Sequence, residues 1–162
     1  MSALNTADCA RSMALEVLQS TGRLKLQVTG TSMLPTLWPG DILTLQSIAS
    51  DPPRHGEIIF FQREPEGQFV IHRVVETEPG LLITRGDSLA DQDAPVSLGE
   101  VLGRVVEVQR GGKRRPPALS LARRIAAFVF AYSDIAVRLA LRFQNSFSQD
   151  RGITSVFFEG VR

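Results

Sequence analysis

A chain of 162 residues is long enough for one domain with a real core. Its 43% hydrophobic and 22% charged residues are an ordinary globular balance, which excludes wholesale disorder, and a net charge of +1 gives no global drive toward nucleic acid. A single cysteine, Cys9, excludes an intramolecular disulfide, and only two lysines occur, Lys25 and Lys113.

Residues 6–20 read as an amphipathic helix, with Thr6 as its cap, Met13, Leu15, Val17 and Leu18 as apolar surface, and Thr21-Gly22 as its end. Asp8, Arg11 and Glu16 interrupt this segment, so it does not read as a signal peptide. Residues 23–28 alternate, with Leu24, Leu26 and Val28 on one face, and predict a strand. That strand leads into Gly30-Thr31-Ser32-Met33-Leu34-Pro35-Thr36-Leu37, then Trp38-Pro39-Gly40-Asp41. Gly, Ser and Pro populate ordinary turns, so a serine held between a strand and a Pro-Thr turn gains meaning only from what surrounds it.

Further strands are predicted over 42–45, 57–62, 69–76, 81–84 and 101–109, with Pro- and Gly-rich turns between them. Residues 85–95 form an acidic loop, and 110–118 read as a basic linker rich in Gly and Pro. Short strands at close spacing predict a mainly β, α+β domain with antiparallel pairing over 23–109. Residues 119–145 then predict an amphipathic helix, with Arg123, Arg124, Asp134, Arg138 and Arg142 along one narrow side. Such a helix suits packing on the β domain, on a partner, or on a membrane surface. No stretch of about 18 uncharged apolar residues occurs, so no ordinary spanning helix is predicted, and the chain reads as soluble or attached to a membrane surface.

A catalytic serine needs a base and donors for an oxyanion. Four candidate bases exist. His55 lies in a Pro-rich loop, Lys25 on the strand before the serine, and Lys113 in the linker. His72 lies mid-strand in Val70-Ile71-His72-Arg73-Val74-Val75, sharing a face with Val70 and Val74. If Ser32 is a nucleophile, the base is His72 by elimination. Such a base predicts a rate that falls toward acid pH. A histidine base works best with a carboxylate on its other ring nitrogen. The loop after residue 84 offers Asp87, Asp91 and Asp93.

The ordered blocks Gly-x-Ser-Met-x-Pro-Thr-Leu, Gly-Asp, Gly-Glu-Ile-Ile-Phe-Phe, Ile-His-Arg-Val-Val, Thr-Arg-Gly-Asp with Asp-x-Pro-Val, and Val-Leu-Gly-Arg-Val resemble the type I signal peptidase family. The likeness is to its histidine-base branch, that of the endoplasmic-reticulum and archaeal enzymes, and covers roughly 28–106. It implies a signal-peptidase and LexA-like β-ribbon catalytic domain, flanked here by an N-terminal and a C-terminal amphipathic helix. It implies a serine endopeptidase that cuts signal- or leader-like peptides after small residues, with no cofactor and no metal. Ser32 attacks, His72 is the base, and an aspartate of the acidic block orients it. Spacing places that role on Asp93, with Asp91 competing and Asp87 as conformational support. The Ser32 N–H donates to the oxyanion; a second, hydroxyl donor used by some bacterial relatives is absent, because its position is Gly30. Gly30, Met33 and Pro35 are implied in substrate binding, and Asp41 in shaping the turn. The peptide binds as an extended strand, with 24–28 and 57–62 as groove walls. The family's N-terminal anchor has no counterpart in the charged helix at the start of this chain. Two alternatives remain: a non-catalytic peptide-binding module, and a self-cleaving LexA-type peptidase. The second lacks both a lysine near position 72 and an Ala-Gly or Cys-Gly bond to cut.

Overall fold

The computed structural model describes residues 3–49, 51–63 and 67–117, so the segment 119–145 and any attachment through it lie outside the described residues. Helix α1 (Ala3–Thr21) opens the chain. Thr6 therefore lies inside the helix instead of capping it. The helix ends where Gly22 takes φ 71°, a left-handed conformation open to glycine, and returns its N–H to the Leu18 carbonyl at 2.9 Å.

Eight strands follow among the described residues: β1 (Arg23–Gln27), β2 (Ile42–Gln46), β3 (Ile58–Arg63), β4 (Gln68–Glu78), β5 (Leu81–Arg85), β6 (Val96–Ser97), β7 (Val101–Arg110) and β8 (Lys113–Arg115). They form one antiparallel sheet in the order β1-β2-β7-β3-β4-β5-β6, with β8 added to β7. The described residues are thus mainly antiparallel β with one α-helix at the N-terminal end, as the strand spacing predicts.

Strand composition follows position in the sheet. β3 lies between β4 and β7, and five of its six residues, Ile58 to Gln62, are buried. β4 alternates: Val70, His72 and Val74 are buried, with half-exposed residues between them. One apolar cluster gathers α1, β1, β2, Phe60 and β7, and a second gathers Ile59, Phe61, Val70, Val74, Leu82 and Val96.

Two differences from the sequence reading have clear causes. The stretch expected as a linker begins with a hairpin: Gly111 and Gly112 take φ 55° and 76°, and Lys113 to Arg115 fold back on β7. Two successive residues of positive φ make the tight turn that matches strand twist, so the glycines connect strands here instead of loosening the chain. Strand β6 is only two residues long, too short for its alternation to be seen.

Among the open strand edges of the described residues, two lie near the serine turn. β1 pairs with β2 alone. β4 pairs with β3 from Gln68 to Arg73, but β5 joins it only from Arg73 onward, which leaves 68–72 open on that side.

Candidate active site

Ser32 stands at the head of a compact turn between β1 and β2. Leu34 N–H donates to the Thr31 carbonyl at 3.1 Å, and the N–H groups of Thr36 and Leu37 both donate to the Met33 carbonyl at 2.9 Å. The N–H groups of Ser32 and Met33 stand outside this set. The Leu34–Pro35 peptide is cis. Asp41, 2% exposed, accepts from Trp38 N–H at 2.8 Å and from two nitrogens of Arg110 at 2.7 and 2.6 Å; Arg110 also donates to the Thr36 carbonyl at 3.1 Å. A doubly held carboxylate thus closes the loop that carries the serine, and ties it to the end of β7.

Three of the expected site residues meet. Ser32 Oγ lies 3.0 Å from His72 Nε2, and His72 Nδ1 lies 2.5 Å from Asp93 Oδ2. A carboxylate only accepts, so Nδ1 carries the proton and Nε2 is left to accept from the serine hydroxyl. His72 is 5% exposed and meets the edge of buried Phe61 at 6.4 Å between ring centres. Asp93 Oδ2 also accepts from Thr84 Oγ1 at 2.7 Å, and Oδ1 accepts from Arg63 at 2.6 Å. The Asp93 N–H donates to the Thr84 carbonyl at 2.8 Å, which fixes the loop bearing the acid against β5. Burial alone raises the Asp93 carboxyl, but hydrogen bonds from His72 and Thr84, with the charges of His72 and Arg63, outweigh it and hold the group below the ordinary aspartate range. Asp91 is exposed and does not share this contact.

Asp87 binds elsewhere. It accepts two parallel bonds from Arg73, both 2.8 Å, and one from Thr36 Oγ1 at 2.5 Å. It therefore joins the serine turn to the residue after His72. Ser88 joins the same turn from the other side: its hydroxyl donates to the carbonyls of Thr31 at 3.0 Å and Ser32 at 2.8 Å.

The chain matches no known protein-family model and no curated protein sequence.

A groove of about 610 Å³ opens beside Ser32 and His72. β1 and the following residues 28–30 form one wall, and Gln68 to His72 of β4 form the other. Both walls are open strand edges. Residues 57–62 were expected as a wall, but only Phe60 of that range lines the groove, because β3 has a neighbour on each side. Gly30 and Met33 line it as expected. Pro35 does not: it is buried behind the turn, with its carbonyl accepting from Trp38 Nε1 at 2.9 Å. Among the described residues, no three of His, Cys, Asp and Glu gather as a cation cage.

Four supporting residues had no assigned role from sequence. Thr84 carried a signal, a polar side chain at an inward position of an alternating strand. Arg73 and Ser88 stood inside quoted blocks, beside His72 and Asp87. Arg63 carried none, since β4, β5 and the acidic loop lie between it and Asp93.

Proposed function

We propose that this chain is a serine endopeptidase of signal-peptidase type, built on a β-ribbon fold of the signal-peptidase and LexA kind, which cuts leader- or signal-like peptides after small residues. The observation that carries this reading is the continuous chain from Ser32 Oγ through His72 to Asp93, set at the side of a groove between two open strand edges. The ordered sequence blocks support the substrate class.

An extended peptide adds to the edges of β1 and β4 through backbone bonds, the mode that gives affinity without sequence, while alternate side chains enter pockets. His72 Nε2 takes the Ser32 proton as Oγ attacks the scissile carbonyl. The Ser32 N–H donates to the oxygen that becomes negative. His72, now cationic and steadied by Asp93, gives its proton to the leaving amine, and the acyl group stays on Ser32. Water then enters, His72 takes its proton, and the ester opens to release the acid and restore the serine. His72 receives and returns one proton in each half of the cycle.

The test uses the full chain and fluorescent peptides rich in Ala, Gly and Ser near a central bond. Wild type is expected to cut and to form a covalent adduct with an activated phosphonate at Ser32. Ser32→Ala and His72→Ala are expected to do neither. Cleavage that survives Ser32→Ala would sink the mechanism, and wild-type binding with no cutting would make the groove a peptide-binding module.

A further inference from the structure

Arg63 faces two ways. Its guanidinium donates through Nη2 to Asp93 Oδ1 at 2.6 Å, and the same side chain lines the groove beside Ser32 and His72. It is 35% exposed, where the side chains of Asp93 and His72 are 10% and 6% exposed. Thr84, the other support of Asp93, is fully buried. Of the two residues that hold the acid from behind, Arg63 is therefore the one that an occupant of the groove can touch. Among the described residues its side chain makes this one hydrogen bond. A guanidinium carries its N–H donors as a planar fork, so a second edge is left for an acceptor, and a carboxylate matches that edge best. Among the described residues no Asp or Glu lines the groove, whose charged lining residues are Lys25 and Arg63.

The strand register places this cation relative to the histidine. Ile59 pairs with His72, Phe61 with Val70 and Arg63 with Gln68, so all six point to one face of the sheet. β4 lies between β3 and β5, and the Asp93 N–H is bound to Thr84 of β5. The bond from Arg63 to Asp93 therefore passes over the His72 face of β4, across the stretch 68–72 whose edge β5 leaves open. A peptide strand added to that edge puts alternate side chains on the same face. The one level with Val70 stands beside the guanidinium, two residues along from the one level with His72, a separation of about 7 Å.

Charge at this place changes during the proposed reaction. Arg63 and Asp93 cancel while His72 is neutral. Once His72 takes the serine proton, the three side chains carry a net positive charge. A carboxylate held at Arg63 is then favoured more in the reacting state than in the bound ground state, which is the condition for it to raise turnover as well as binding.

We propose that Arg63 is a specificity-determining residue, which pairs with an acidic side chain of the substrate peptide, aspartate or glutamate, while keeping its bond to Asp93. This rests on the peptidase reading, because Ser32 and His72 make the occupant a peptide.

The test separates the two readings. Peptides carrying Glu or Gln at each position in turn are assayed for kcat/KM with wild type, and for Kd with the full-length Ser32→Ala chain, which binds without turnover. Glu at one position is expected to raise kcat/KM over Gln by about fivefold and to tighten Kd by a smaller factor, with both gains shrinking as salt is raised. Arg63→Ala also weakens the hold on Asp93 and slows every peptide, so the readout is the ratio of Glu to Gln. Loss of support for the acid alone lowers both peptides alike and leaves that ratio unchanged. The ratio is expected to fall to unity in Arg63→Ala and to persist in part in Arg63→Lys. Equal Glu and Gln values at every position in wild type would overturn the proposal, as would a ratio unchanged in Arg63→Ala or one abolished by Lys25→Ala instead. If wild type cuts nothing while the Ser32→Ala chain shows a Glu preference in Kd that Arg63→Ala removes, the acid site stands and the peptidase reading falls.

Discussion

The Ser88 hydroxyl donates to the Ser32 carbonyl at 2.8 Å, and the Ser88 N–H donates to the same oxygen at 2.9 Å. The acidic loop therefore grips the backbone of the nucleophile itself. Gly86, two residues earlier, lies so close that a Cβ there would stand 2.6 Å from that oxygen. Ser88→Ala removes one of the two donors, worth about 1 kcal/mol. Peptide cleavage by this variant is expected to slow by about fivefold through kcat, and its stability to fall by about the same 1 kcal/mol. Gly86→Ala forces backbone apart and is expected to lose about 1–3 kcal/mol of stability together with most activity. Denaturant titration and steady-state kinetics on the two variants check this. A Gly86→Ala chain as stable and active as wild type would refute the close approach.

Asp93 gives the fold an acid-sensitive element. Its carboxyl is held below the ordinary aspartate value of 3.8, since partner bonds and charges outweigh burial. A depressed folded value stabilises the fold above the unfolded value, and that stabilisation is lost as pH falls from about 3.8 through the folded value. Arg63 is one of the causes, with its guanidinium 2.6 Å from Oδ1. Arg63→Ala is therefore expected to move the acid limb of stability to higher pH, and Asp93→Asn to flatten it. Urea midpoints measured from pH 6 down to pH 2.5 check both directions.

How far the site could be read in advance follows from the range of each contact. Ser32, His72 and Asp93 were named because a nucleophile, a base and an acid each need a particular chemistry, and few residues here qualify. The strands were visible because alternation survives wherever one face is buried, as at Val70, His72 and Val74. The hairpin at Gly111-Gly112 was misread because the same two glycines suit a loose linker and a tight turn, and only the pairing of 113–115 with β7 distinguishes them. Pro35 looked like a groove residue because it follows the serine closely, yet the turn folds it to the buried side. The link from Arg110 to Asp41 is 69 residues long and has no periodic signature.

Asp87 and Arg73 form a buried pair, 6% and 12% exposed at their side chains, with two bonds of 2.8 Å. Removing one partner leaves the other charged and enclosed, which costs about 3 kcal/mol or more. Asp87 also holds Thr36 of the serine turn. Arg73→Ala is expected to destabilise the fold by that amount and to lower kcat, because His72 is its direct neighbour. Arg73→Lys is expected to recover part of the stability but not the parallel two-bond geometry. Differential unfolding of the three chains in urea tests this, and equal midpoints would show that the pair adds nothing.

The Ser32, His72 and Asp93 side chains act as one unit in the proposed mechanism, so their losses should not add. Ser32→Ala and His72→Ala are each expected to lower kcat by a factor on the order of 10³ or more, and the double variant to fall no further. Asp93→Asn keeps the shape but lets the ring present the wrong tautomer, and is also expected to lose orders of magnitude in kcat with a smaller effect on KM. Kinetics for all four variants on one peptide, under conditions where each is folded, give the cycle. Multiplying losses in the double variant would mean that serine and histidine contribute separately, and the 3.0 Å contact between them would then not be the path of the proton.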